Sequence, residues 1–296
     1  MNRNSAQDFP PEVLRQFDLY VHGLIPRREF IARCGRLGAG IAGAEVWLTA
    51  LSPQFAAAQQ VAPADPRLTT GRVAYPSPKG YGSVHGYLVR PAHAAGPLPV
   101  ILVVHENRGL NPHIEDIARR LALDGYVVFA PDALYPLGGY PNDEDKAREL
   151  FGKLDQEKTH EDFLAAARAM QGVAGGNGRL GAIGFCYGGG MVNFLATRMP
   201  ELAAAVPFYG AQPSAEDTAH IRSPLLIHYA GQDERINAGW PAFEAALKAN
   251  KIAYEAFIYP GVQHGFNNDT TPRYDAAAAK LAWSRTEAFF KEHLQA

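Results

Sequence analysis

The stretch from Arg179 to Gly190, R-L-G-A-I-G-F-C-Y-G-G-G, constrains this chain more than any other. Leu180–Phe185 is an apolar run of strand length, a cysteine follows at once, and three glycines lead into Met191–Met199, which has the composition of a buried helix. A strand, a nucleophile and a helix, with Gly184 and Gly188 two places either side of Cys186, make the pattern of a nucleophile elbow with sulfur in place of oxygen. So sharp a turn strains the backbone at the nucleophile, and side chains at the flanking positions would strike the neighbouring strand and helix. The helix that follows aims its N-terminus at the sulfur, which favours a thiolate and later an oxyanion. The bland reading of the same residues is a glycine-rich loop beside an inert cysteine. The rest of the chain decides between them.

Around the elbow the sequence alternates strand-like and helix-like segments. Gly71–Pro76 and Ser83–Arg90 read as an opening antiparallel pair. Pro99–His105 is a continuous apolar run, as a strand buried on both faces requires. Asn111-Pro112 is a good helix start and predicts a helix to Asp124; Tyr126–Ala130 is the next strand. Asp143–Val173 reads as mostly helical with a break near Lys158-Thr159. Ala203–Tyr209, Pro224–Tyr229 and Tyr254–Tyr259 are further strands, and Asp275–His293 is a last helix. The expectation is an α/β protein with a mostly parallel sheet, helices on both faces and a site at the strands' C-terminal ends.

A thiol nucleophile needs a base, and the base needs an orienting group. Strand Pro224–Tyr229 runs into Ala230-Gly231-Gln232-Asp233, and strand Tyr254–Tyr259 into a glycine-bounded loop carrying His264. Alone, Asp233 reads as a solvated turn residue and His264 as a structural histidine. Both follow strand-like runs in the order nucleophile, acid, base, which is the order of the α/β-hydrolase fold. In that fold the N–H after the nucleophile, here Tyr187, forms the oxyanion hole with an N–H from an earlier loop, here Asn107 of His105-Glu106-Asn107-Arg108-Gly109. Glu106 is a carboxylate placed to hold or accept the thiol proton; its bland reading is an exposed loop charge. Tyr135 and Trp240 are candidate pocket aromatics, equally readable as core or lid, and Asp132 reads as a loop or capping residue.

The chain has a net charge of −2 and no long basic run, which excludes the usual footprint of a nucleic-acid or anionic-membrane binder. Its two cysteines, Cys34 and Cys186, form no disulfide framework. His105-Glu106 begins like a zinc-binding helix, but Gly109 stands where the second histidine belongs, so no metal is expected.

Residues 1–60 differ from the rest and predict a unit of their own, ahead of a catalytic domain at 61–296. Pro11–Gly23 reads as an amphipathic helix with Val13, Leu14, Phe17 and Tyr20 on one face. Arg27-Arg28, the weakly apolar Leu37–Leu51 and Ala56-Ala57-Ala58 resemble a twin-arginine export signal, which implies a periplasmic protein. Against that stand the long region before the arginine pair, Glu45 within the apolar stretch and the additional Arg33 and Arg36. The alternative is a pair of helices packed on the catalytic domain of a cytoplasmic protein. The apolar run is too short and interrupted for a stable membrane span.

G-F-C-Y-G-G at 184–189, H-E-N-R-G at 105–109, G-Q-D at 231–233 and H-G-F at 264–266 together resemble the dienelactone hydrolase (carboxymethylenebutenolidase) family, over about Leu68–His293. The resemblance implies Cys186 as nucleophile, His264 as base, Asp233 as its orienter and Glu106 as the residue that switches the thiol on. It implies hydrolysis of a small ester or lactone through an acyl-enzyme, without cofactor. Family members that act on dienelactone hold its carboxylate with arginines, one shortly after the catalytic histidine. Here that position is Asn268, leaving Arg273 and Arg108 as candidates for substrate binding. Two other readings are a broader acyl or peptide hydrolase and a binding protein built on a hydrolase fold.

Overall fold

The computed structural model describes residues 4–295. Eight strands form one sheet: β1 (Leu68–Ser77), β2 (Gly82–Pro91), β3 (Leu98–Val104), β4 (Val127–Pro131), β5 (Gly176–Phe185), β6 (Ala204–Phe208), β7 (Leu225–Gln232) and β8 (Tyr254–Gln263). Their spatial order is β1-β2-β4-β3-β5-β6-β7-β8. β1 pairs with β2 and β2 with β4 antiparallel; every other pairing is parallel. This is the α/β-hydrolase architecture, and the strand that carries the elbow lies in the middle of it.

Among the described residues four α-helices precede the sheet: α1 (Pro11–Val21), α2 (Arg27–Cys34), α3 (Gly40–Leu51) and α4 (Phe55–Ala58). The helices that follow are α5 (Pro112–Leu123), α6 (Glu144–Phe151), α7 (Gln156–Gln171), α8 (Tyr187–Arg198), α9 (Ala215–Thr218), α10 (Glu234–Asn237), α11 (Trp240–Ala249) and α12 (Ala276–Leu294). The continuous apolar run of β3 has a direct explanation. Val100, Leu102 and Val104 face one layer, with Phe163 of α7, Val192 and Leu195 of α8 and Phe243 of α11. Ile101 and Val103 face the other, with Ile114 and Ile117 of α5 and Phe290 of α12. A strand covered on both sides gains about 1.5–3 kcal/mol from each large side chain it buries, so polar alternation is lost.

The predicted break in the long helical segment falls earlier than expected. α6 ends at Phe151 and α7 starts after Asp155, whose carboxylate accepts from the N–H groups of Glu157 and Lys158. An aspartate cap there fixes the start of the new helix more firmly than composition near Lys158 indicates.

The N-terminal helices have an apolar cluster of their own, built on Val13, Leu14, Phe17, Tyr20, Phe30, Leu48 and Leu51. Cys34 is buried within it, and that burial pushes its thiol up to about 11. Among the described residues no helix is long and apolar enough to cross a membrane.

Candidate active site

The elbow is built as the sequence demands. Cys186 has φ 55° and ψ −113°, a conformation that an L-residue holds only at a cost of order 1–3 kcal/mol. A Cβ at Gly184 would lie 2.1 Å from the carbonyl oxygen of Gly188, and one at Gly188 would lie 2.2 Å from that of Val104. Both positions therefore exclude any side chain. The main-chain N–H of Cys186 donates to Phe208 at 3.1 Å, tying the turn to β6. Tyr187 opens α8, so its N–H belongs to the helix terminus that faces the sulfur.

Asp233 follows β7 as the cap of α10, and His264 follows β8. The Nδ1–H of His264 donates to Asp233 Oδ2 at 2.5 Å, with both residues almost fully buried. The structure thus assembles the three expected residues around one point. Burial disfavours an ionised Cys186, yet the imidazoles of His264 and His22 outweigh it and bring the thiol down to about 6. The same pairing works on His264: burial opposes its charge, but Cys186 and the hydrogen bond to Asp233 raise it to about 10. Geometry and charge favour a thiolate–imidazolium pair.

His105 braces the neighbouring loop. Its Nδ1–H donates to the carbonyl of Glu106 at 2.6 Å, and its Nε2 accepts from the N–H of Ala133 at 3.2 Å. Full burial holds it neutral, at about 4. Glu106 faces the cavity next to Cys186 and accepts a hydrogen bond from Asn268 Nδ2 at 2.9 Å. The cavity has a volume of about 500 Å³ and is bounded by α1, α3, the Glu106–Arg108 loop, Cys186 and His264.

Arg108 and Arg273 both reach this cavity, but each already holds partners. Arg108 donates to the carbonyl of Val21 at 3.1 Å and faces Glu144 at 3.6 Å. Arg273 pairs with Asp18 at 3.3 Å. Tyr135 instead stacks on His85 and lines a separate cavity with Arg72 and Asp132. Trp240 packs on Tyr229, Phe243 and Tyr254. Asp132 caps a turn by accepting from the N–H of Leu134.

His22 was not legible as a site residue. It follows α1, and its Nε2 lies 3.4 Å from Cys186 Sγ and 3.2 Å from His264 Nε2. The only group of described His, Cys, Asp and Glu side chains placed to share one ion is His22, Cys186 and His264, whose ligand atoms lie within 4.8 Å of one another. α1 is docked through its last carbonyls. Tyr20 O accepts from Arg148 at 2.6 Å, and Val21 O accepts from Asn107 Nδ2 at 2.9 Å and from Arg108. Cationic and amide donors at a helix C-terminus satisfy orphan carbonyls and favour the dipole. A helix-period pattern was the signal available for α1; nothing in it says which end touches the thiol.

Comparison with known proteins agrees with this architecture. A family model described as the dienelactone hydrolase family matches residues 84–294. The chain belongs to the dienelactone hydrolase family. A second model, described as YqhI-like, matches residues 1–37, outside the hydrolase match. A protein of Escherichia coli K12 named "Putative carboxymethylenebutenolidase" is 36% identical over 223 residues, covering 70% of this chain and 82% of its own length. The "Putative hydrolase fragment YghX" of the same organism is 53% identical over 105 residues, covering 36% of this chain and 90% of its own. The crystal structure of a "Putative Dienelactone Hydrolase" from Klebsiella pneumoniae superposes with a TM-score of 0.68 at 29% identity, covering 76% of this chain and 99% of that one. The family model places the hydrolase in the region from β2 to α12.

Proposed function

We propose that this chain is a cysteine-dependent hydrolase of small esters or lactones that works through an acyl-enzyme and needs no cofactor. The observation that carries the reading is the hydrogen-bonded line Asp233–His264 beside Cys186 at a strained elbow. The thiolate of Cys186 attacks the carbonyl carbon, and the carbonyl electron pair moves to oxygen. The N–H groups of Tyr187 and Asn107 receive that oxyanion, an interaction of about 3–4 kcal/mol per donor. On collapse the C–O bond breaks and His264 protonates the departing oxygen. Water then attacks the thioester, giving up its proton to His264, and the thiolate leaves as the acid forms. Glu106, on the cavity wall, is the activating carboxylate that the family resemblance implies, acting on the Cys186–His264 pair as substrate enters.

The family's substrate type and the cavity's size support a small ester or lactone. We propose Arg273 and Arg108 as contacts for an anionic substrate only in so far as their present partners, Asp18 and Glu144, release them. Tyr135 and Trp240 have no place in this reading. For residues 1–60 we favour a packed helical extension over an export leader, because α1 is bonded to the active-site loop at Val21.

The test is iodoacetamide labelling of the full chain with residual activity on p-nitrophenyl acetate. Labelling of Cys186 with matching loss of activity, and an inactive but folded Cys186→Ala, are expected. Full activity with Cys186 alkylated rejects the mechanism.

A further inference from the structure

His22 reaches the sulfur from a segment outside the hydrolase match. Its Nδ1 lies 2.7 Å from the carbonyl oxygen of Asp18 and 3.3 Å from Asp18 Oδ1. Both are acceptors, so Nδ1 carries the hydrogen and Nε2 presents its lone pair. His264 is fixed in the same sense, because its Nδ1 faces Asp233 Oδ2 at 2.5 Å. Two imidazole lone pairs therefore point at each other across 3.2 Å, with the thiol 3.4 Å from one of them. That arrangement is repulsive unless a cation lies between the rings. The site itself supplies two: the Arg235 guanidinium, with Nη2 2.9 Å from His22 Nε2, and the proton released by Cys186.

We infer that His22 is a second catalytic imidazole, which shares the Cys186 proton with His264 and makes the N-terminal segment an integral part of the active site. The inference rests on the reading of Cys186 as nucleophile. The groups facing His22 come from several elements. Asp18 lies one turn back on α1, with Arg273 behind it at 3.3 Å; Cys186 belongs to the elbow and His264 to the loop after β8. Arg235 of α10 places Nη2 2.9 Å from His22 Nε2. The guanidinium competes for that lone pair, and His264, held by Asp233, delivers the proton to the leaving oxygen. The balance is simple. The S–H bond breaks, its proton enters the imidazole pair, the S–C bond forms, and the proton leaves on the alcohol when the C–O bond breaks. In deacylation a water proton refills the pair.

A divalent metal ion is the other cation that two imidazoles and a thiol accept, and the Arg235 guanidinium opposes it. The experiment compares the full chain with His22→Gln and His22→Ala, with and without EDTA. It reads the pH profile of Cys186 alkylation, kcat/KM on p-nitrophenyl acetate and the melting temperature. Gln fills the volume of the imidazole and makes hydrogen bonds but takes no proton, so it separates proton sharing from packing. For both variants the alkylation midpoint is expected to rise by about one pH unit and kcat/KM at neutral pH to fall by roughly 10²-fold. A folded His22→Gln with the parent midpoint and rate overturns the inference. So does a parent enzyme whose alkylation or activity rises about tenfold on chelation, since the cation is then a metal. An active Cys186→Ala rejects the nucleophile itself; an inactive Cys186→Ala beside an unaltered His22→Gln rejects only the role of His22.

Discussion

Nε2 of His22 and Nε2 of His264 lie 3.2 Å apart although 242 positions separate them in the chain. The contact joins the N-terminal helices to the imidazole paired with Cys186, and it shapes what the pH profile should show. Cys186 is drawn down to about 6 and His264 up to about 10. The reactive form has the thiol ionised and the imidazole protonated. kcat/KM should therefore rise with pH through about 6 as the thiol loses its proton, stay level, and fall near 10 as His264 loses its own. Steady-state rates on p-nitrophenyl acetate across this range check it. A rise that begins only above about 8, the ordinary thiol range, would mean that Cys186 is not paired.

Asp233 fixes the tautomer of His264 through the 2.5 Å bond to Nδ1. Asp233→Asn presents an N–H or a neutral oxygen in its place and removes the charge. The substitution should lower kcat by about 10³–10⁴-fold with little change in KM, as loss of a triad carboxylate does elsewhere. A KM effect without a kcat effect would assign Asp233 to structure instead.

Glu106→Gln keeps an oxygen for Asn268 and removes the charge facing the cavity. If the carboxylate switches the thiol on, kcat/KM should fall by about 10-fold to 100-fold while the melting temperature holds. Unchanged kinetics would make it a prop for Asn268.

Gly188→Ala places a methyl 2.2 Å from the Val104 carbonyl, on the strand beside the elbow. Backbone cannot yield there as a flexible side chain would. The substitution should cost about 3 kcal/mol or more and lower both the melting temperature and the thiolate yield. Near-native melting would show that the elbow tolerates a wider turn.

Arg148 donates to the Tyr20 carbonyl at 2.6 Å and lies over the Tyr20 ring at 4.2 Å. Arg148→Ala leaves a helix-end carbonyl without its partner and should destabilise the chain by about 1–3 kcal/mol. Because Tyr20 is two residues from His22, kcat/KM should fall as well. Urea denaturation and kinetics on the same preparation separate the two effects.

The mostly parallel sheet, its opening antiparallel pair and the placing of Cys186, Asp233 and His264 past strand ends were legible because each rests on local chemistry. The glycines flanking Cys186 announce a close approach, the apolar run before His105 announces a strand covered on both faces, and Asp233 and His264 stand just past strand ends. Boundaries were less so: β7 and β8 run on to Gln232 and Gln263, across a register shift near Gly231. The role of α1 was hidden for a different reason. Val13, Leu14, Phe17 and Tyr20 mark its buried face, but they pack among themselves and with α2 and α3. Where the helix ends in space depends on Arg148, Asn107 and Arg108 meeting its last carbonyls, and no periodicity encodes that meeting. Arg108 and Arg273 show the same limit from the other side: a cation count cannot reveal that the Val21 carbonyl and Asp18 already occupy them.

Asn107 has two duties that meet in one residue. Its side chain grips the carbonyl of Val21, and its backbone belongs to the loop that borders the thiol. If that loop binds the reacting group as proposed, docking of the first helix and binding at the site are joined by thermodynamic linkage. Whatever free energy a bound inhibitor gains from a seated helix, the helix gains equally from the inhibitor, so a tight transition-state mimic should protect the amides of residues 11–21 from hydrogen exchange.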